Sequence, residues 1–350
     1  MVNDPIRMTA LAAAAVWMLQ LPAEAGSAAV CYKGVNLSGA EYGVDTDNVY
    51  GTNYIYPSER TVKYFAETGM NIVRLPFRWE RLQPVFGRPL EAMELKRLKE
   101  AVELLRAYDM TVVLNPHNFG YYDGKRMMTP DLPAQVFADF WIRLALEFAG
   151  DADIVFGLMN EPYDIPAEDW LLAVNQAITG IRAVGADNLV LVPGTNWSGA
   201  TSWLSDRPGG NNSRVMSGVV DPAGNFAYEV HQYMDEDYSG THETCPKAAG
   251  ALEGLERFTG WLAEQGAKGF LGEFGGSKDP ACLAGLTDMV RFMDANPDRW
   301  VGWTYWAAGE WWPQTEGNNI QPVDGKDRAQ LTELMPNLQT IGDQACETIN

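Results

Sequence analysis

The chain has 350 residues, with 46 Asp and Glu against 26 Lys and Arg, for a formal net charge of −20. That balance argues against a nucleic-acid partner, because phosphate binding depends on concentrated Lys and Arg, and against an anionic membrane surface. With 46% apolar and 21% charged residues the composition is that of a folded globular chain, not a disordered one. Twelve Trp, 14 Tyr and 13 Phe beside only three His suggest aromatic surfaces put to use and make a His-rich metal site improbable.

The N-terminus reads as a secretory signal. Arg7 supplies positive charge, Met8 to Leu21 is a mostly apolar run, and Ala23-Glu24-Ala25 is a small-x-small cleavage pattern. The run is too short for a stop-transfer helix. The expectation is a signal over residues 1–25, a single mature domain over 26–350 and an exported protein with no membrane association after cleavage. In an oxidising compartment the four cysteines suggest two disulfides, for which three connectivities exist. The pairing chosen is Cys245–Cys282, stapling two loops, with Cys31–Cys346 tying the first strand to the C-terminal tail. No CxxC pair is present to suggest a zinc ribbon.

Eight apolar strand candidates follow in order: 32–37, 71–75, 111–114, 154–159, 189–192, 226–230, 269–271 and 300–305. Amphipathic helix patterns cover 58–68, 92–108, 133–149, 167–184, 250–265 and 281–295. In the second of these Leu95, Leu98, Val102 and Leu105 mark one apolar face. Ser58 and Asp131 are candidate N-caps. Short apolar strands separated by helices imply a parallel sheet covered by helices. Eight such units predict a closed (β/α)₈ barrel in one domain. No GxGxxG or P-loop follows the first strand, which lowers the case for nucleotide binding.

Active sites of such barrels form at the C-terminal ends of the strands, and those ends carry polar motifs. The second strand runs into Arg74-Leu75-Pro76, the third into Asn115-Pro116-His117-Asn118 and the fourth into Met159-Asn160-Glu161-Pro162. The sixth ends in His231-Gln232-Tyr233, the seventh in Gly272-Glu273-Phe274-Gly275 and the eighth in Tyr305-Trp306-Ala307-Ala308-Gly309.

This ordered set resembles glycoside hydrolase family 5, the retaining β-1,4-glycanases, over roughly Gly34 to Arg328. Trp79-Glu80-Arg81-Leu82-Gln83-Pro84, His231-Gln232-Tyr233-Met234-Asp235 and Gln321-Pro322-Val323-Asp324-Gly325 are similar to subfamily 5 endoglucanases. The stretches Ser239-Gly240-Thr241 and Glu243-Thr244-Cys245 resemble fungal members that bridge this cysteine to one just after the seventh strand, which supports Cys245–Cys282. The resemblance implies Glu273 as nucleophile and Glu161 as acid/base, since retention needs two carboxyl groups about 5–5.5 Å apart. It further implies Arg74 beside Glu273, Asn160 on the sugar 2-hydroxyl, and Tyr233 donating to the nucleophile. His231 would lie near the acid/base, His117 and Asn118 in the substrate-binding surround, and Trp306 under the −1 sugar. Trp197, Trp311, Trp312, Tyr42 and Tyr121 are candidates for further subsites, whereas Trp79, Trp141 and Trp261 are expected in the shell. Asn115 departs from the family's usual Asp, which removes a charge near the site and is expected to shift the pH optimum.

The expected activity is a secreted endo-β-1,4-glucanase, a monomer acting on a neutral β-1,4-linked polysaccharide without metal or organic cofactor. The same core could instead prefer β-mannan or xyloglucan. A catalytically silent carbohydrate-binding barrel is the rival from another class.

Overall fold

A computed structural model of the chain describes residues 1, 29–43 and 47–339. The expected signal segment and Cys346, the partner assigned to Cys31, lie outside the described residues. Eight strands form the frame: β1 (Tyr32–Leu37), β2 (Ile72–Phe77), β3 (Thr111–Pro116), β4 (Ile154–Gly157), β5 (Val190–Pro193), β6 (Phe226–His231), β7 (Gly269–Glu273) and β8 (Trp300–Ala308). They close in sequential order, with β1 pairing both β2 and β8. Every pairing around the barrel is parallel. The expected (β/α)₈ barrel is therefore present, and its strand ends share one face.

Among the described residues seven long helices pack outside: α1 (Glu59–Glu67), α2 (Ala92–Arg106), α3 (Ala134–Phe148), α4 (Ala167–Ala183), α5 (Ala248–Gln265), α6 (Pro280–Asp294) and α7 (Ala329–Leu338). The first six match the sequence reading within two residues. The unit after β5 has only a four-residue helix at Asn212–Val215 and two short 3₁₀ turns, Asn196–Ser198 and Met216–Gly218, because Pro208-Gly209-Gly210 interrupts any longer helical run. A two-stranded hairpin, Tyr121–Tyr122 with Lys125–Arg126, rises from the β3 end. The cap expectations fare differently from the helices. Ser58 stands at the α1 N-cap, yet its hydroxyl donates to Glu310 and makes no cap bond. The cap of α3 is Pro133, not Asp131.

The core has two parts. A large cluster fills the space between strands and helices. A second, small cluster takes one residue from each of β2 to β8 (Ile72, Val113, Val155, Leu191, Ala227, Phe270, Val301), together with Leu189. One residue per strand is the signature of a layer inside the barrel. Strand side chains alternate, so Arg74, Asn115 and Glu229, each two residues beyond a member of that layer, point inward above it. An apolar plug thus supports a polar layer just under the face formed by the C-terminal strand ends.

Candidate active site

Glu161 follows β4 with left-handed backbone, φ 41°, a conformation that costs a non-glycine residue about 1–3 kcal/mol and persists only where the surroundings hold it. Glu273 ends β7 and is 4% exposed. An oxygen of each carboxylate and a ring nitrogen of His231 all lie within 4.8 Å of one another. The two glutamates, distant in sequence, meet at the centre of the barrel mouth.

Arg74, wholly buried, organises this pair from below. Its Nη1 donates to Glu273 Oε1 at 2.8 Å and to Asn36 Oδ1 at 2.9 Å. Its Nη2 donates to Asn160 Oδ1 at 2.8 Å, and the buried Asn160 Nδ2 has no hydrogen-bond partner. On the other side Arg74 Nε faces Glu229 Oε1 at 2.9 Å. Burial pushes the Glu273 carboxyl up, while His231 and Arg74 pull it back and the Tyr233 hydroxyl donates to Oε2 at 2.8 Å. Burial also holds the Tyr233 phenol well above its ordinary value, so it remains a donor.

His231 lies between three carboxylates. Its Nδ1 reaches Glu161 Oε1 at 2.7 Å and Glu273 Oε2 at 3.5 Å, and its Nε2 reaches Glu229 Oε1 at 3.3 Å. The Glu273 and Glu229 carboxylates on the two sides of the ring favour its charged, doubly protonated form. Burial opposes that charge, but Glu273, Glu161 and Glu229 outweigh it and push His231 up to about 9. His117 is the opposite case. Burial, with Arg74, Arg78 and His231 nearby, drives it well below the ordinary imidazole value, and its Nδ1 lies 3.4 Å from the Asn115 side-chain oxygen. The neutral Asn115 side chain gives this imidazole no counter-charge. The ring of His117 stacks on Trp306, centroids 5.2 Å apart and planes 16° from parallel.

From Glu161 a cleft of about 800 Å³ runs past Tyr163, Trp197, Pro208, Tyr238 and Tyr233. Trp197, 53% exposed, lies face to face with Tyr163 at 5.2 Å and 4°, and Tyr121 extends the aromatic wall beyond Tyr163. The cleft offers flat apolar faces leading to a pair of carboxyl groups. Residues 29–309 match the family described as Cellulase (glycosyl hydrolase family 5). The chain belongs to glycosyl hydrolase family 5. Endo-β-1,4-glucanase B of Aspergillus niger is 34% identical over 309 residues, covering 88% of this chain and 89% of that one. The endo-β-1,4-glucanase Xac0029 of Xanthomonas axonopodis pv. citri superposes with a TM-score of 0.88 at 42% identity, over 90% of this chain and 100% of that one. A structure of XacCel5A with cellopentaose gives 0.86 at 45% identity, over 88% and 99%.

Other residues read from the sequence lie around the glutamate pair or in the shell behind it. Asn118 accepts from Trp79 N at 3.0 Å and donates to Glu80 Oε2 at 2.7 Å, so its polar atoms brace the loop after β2. Trp79, Trp141 and Trp261 are buried in the shell. Trp312 meets Trp306 edge-on at 5.9 Å. Cys245 and Cys282 form a disulfide that ties the β6 loop to α6. Asp235 shapes that loop by accepting from the backbone of Gly240, Thr241 and His242. Among the described residues, the carboxylate–imidazole groups spaced to hold an ion are the glutamate pair with His231, and Asp235 and Asp237 with His242. Both oxygens of Asp235 are already engaged by that backbone.

Two buried carboxyls beside the glutamate pair escaped the sequence reading. Glu229 is wholly buried under His231, and a charged residue two positions before His231 in an otherwise apolar strand was the available signal. Glu41, 8% exposed just past β1, accepts from Ser38 Oγ and from Gly39 N at 2.7 Å. Burial and the neighbouring Glu273 push it up to about 7 against the bonds from Ser38 and Gly39.

Proposed function

We propose that this chain is an exported, monomeric endo-β-1,4-glucanase that cleaves internal bonds of cellulose-like chains with retention of configuration. The observation that carries the reading is the spacing of Glu161 and Glu273. Carboxylate oxygens within 4.8 Å suit direct attack on the anomeric carbon and leave no room for the intervening water of an inverting enzyme. In the first step a Glu273 oxygen bonds to that carbon as the glycosidic C–O bond breaks, and Glu161 gives its proton to the departing alcohol. In the second, Glu161 takes a proton from water, the hydroxide oxygen bonds to the same carbon, and Glu273 leaves as the carboxylate. Asn160 Nδ2, free of protein partners, is placed to bond a sugar hydroxyl as charge develops.

The names of the curated relatives and the cellopentaose held by a structural neighbour support a β-1,4-glucan as substrate. A neutral polysaccharide is compatible with a net charge of −20. Proton NMR of cello-oligosaccharide hydrolysis tests the mechanism, the expected first product being the β-anomer. An α-anomer, or absence of products from soluble cellulose chains, overturns the reading. Residues 1–25 are assigned as the export signal and 26–350 as the catalytic domain. N-terminal sequencing of the exported protein, expected to start at Gly26, checks that boundary, and light scattering checks the monomer.

A further inference from the structure

We propose that Glu229 is a positioning residue that keeps the buried Arg74 guanidinium neutralised while Glu273 is esterified in the glycosyl-enzyme. The inference rests on the double-displacement reading above. Glu229 does not touch the cleft: it is 0% exposed, and one oxygen faces both Arg74 Nε at 2.9 Å and His231 Nε2 at 3.3 Å. Its other oxygen, Oε2, has no hydrogen-bond partner. Burying a carboxylate with half its acceptors unmet is costly, and an ion pair kept in such a place is weak support for stability. The surrounding chain nevertheless makes room for it. A Cβ on Gly272, the residue before the nucleophile, would stand 2.2 Å from Glu229 Oε1, so the backbone of β7 is bare where the carboxylate lies.

Charge bookkeeping gives the reason. In the free enzyme Arg74 and His231 face Glu273, Glu229 and Glu161. When the Glu273 oxygen bonds to the anomeric carbon, that carboxylate becomes a neutral ester and one counter-charge of Arg74 disappears. Glu161 loses its proton to the leaving alcohol in the same step and can compensate His231, to which it is bonded at 2.7 Å. Arg74, bonded to neutral Asn36 and Asn160 on its other atoms, keeps Glu229 as its direct anionic contact. Without Glu229 the ester stage leaves the buried guanidinium with no carboxylate in direct contact, whereas in the free enzyme Glu273 still touches it at 2.8 Å.

The consequence is asymmetric kinetics. Glu229→Gln raises the energy of the glycosyl-enzyme relative to the free enzyme, so formation of the ester slows and its hydrolysis does not. With cello-oligosaccharides, whose poor leaving group makes the first step limiting, kcat is expected to fall by about 10²-fold. With a dinitrophenyl β-cellobioside, where hydrolysis of the ester limits, kcat stays within about 3-fold or rises, and the pre-steady-state burst shrinks. Glu229→Asp keeps the charge and is expected to restore most of the lost rate. If Glu229→Gln does not fold, Glu229→Asp alone carries the test, since a withdrawn carboxylate gives a smaller asymmetry of the same sign. Equal losses on both substrates, in either variant, overturn the proposal and leave Glu229 a structural ion pair. A wild-type enzyme with no burst and no β-anomeric product would instead remove the double-displacement reading itself, so the two failures are distinct.

Discussion

Arg74 Nη1 meets Glu273 Oε1 at 2.8 Å with the guanidinium entirely shielded from solvent. Burial alone pushes Glu273 towards its neutral form, and Arg74 is one of the two cations opposing it. Arg74→Gln removes that opposition, so Glu273 titrates at higher pH and the acidic limb of kcat/KM moves up by about one pH unit or more. It also breaks the buried pair with Glu229, which keeps only His231, a stability loss towards the low end of about 3–5 kcal/mol. A pH–rate profile read together with urea unfolding checks both, and an unmoved acidic limb would count against the pairing.

The proposed division of labour between the glutamates predicts different substrate dependence. Glu161→Gln takes away the proton for the leaving alcohol and should cost about 10²–10⁴-fold on cello-oligosaccharides. It should cost far less for the first step on a dinitrophenyl cellobioside, whose leaving group departs without a proton. Glu273→Gln removes the attacking oxygen and should abolish the first step on both. Single-turnover measurements on the two substrates separate the roles, and matching losses for Glu161→Gln would reverse the assignment.

His231 links stability to pH. Its folded-state value, about 9 against 6.5 for the free side chain, means that folding favours the charged ring. The stabilisation is complete below about pH 6.5 and is lost as pH rises through 9, a swing of about 3 kcal/mol. His231→Gln removes it, so the stability gap between wild type and variant should close between those limits. Chemical denaturation at pH 6, 8 and 9.5 measures the gap, and one that stays constant with pH would refute the imidazolium.

Glu41 gives the second titration. Burial raises its folded-state value from 4.5 to about 7, so the native fold favours the neutral carboxyl. That contribution is present below pH 4.5 and is lost as pH climbs through 7, beyond which the buried charge is a liability facing Glu273. Glu41→Gln is expected to match wild type in melting temperature at pH 5 and to exceed it at pH 8. A variant less stable than wild type at pH 8 would show that the charged form is the one the loop is built around.

Much of this arrangement was legible because strand ends are local. Glu161, Glu273 and Tyr233 each sit where a short apolar run stops, and barrel closure then brings them together. Glu229 and Glu41 were not legible in that way. Glu229 lies inside a strand, so its role depends on which of two faces turns inward, and that is fixed by neighbours on β2 and β7. Glu41 looks like an ordinary loop acid until the Ser38–Tyr42 turn folds over it. Trp197 was placed correctly near the β5 end, but its partner Tyr163 comes from the β4 loop. Their parallel stacking goes with left-handed backbone at Asn196, Trp197 and Ser198, a conformation that Asn tolerates but that Trp and Ser do not favour.

That wall supplies the last prediction. Trp197 exposes 53% of its surface while its other face rests on Tyr163, so the open face is available to the apolar side of a sugar ring. Stacking of this kind is worth on the order of 1 kcal/mol beyond area burial. Trp197→Ala should therefore raise KM for cellopentaose by about 5- to 10-fold while leaving kcat on a dinitrophenyl cellobioside, whose leaving group is too small to cover the wall, nearly unchanged. Because the indole contributes little to the core, the melting temperature should hold within about 2 °C. Steady-state kinetics on the two substrates, with calorimetry as the control, decide it. A fall in kcat on the short substrate would place Trp197 beside the reacting sugar instead of further along the chain.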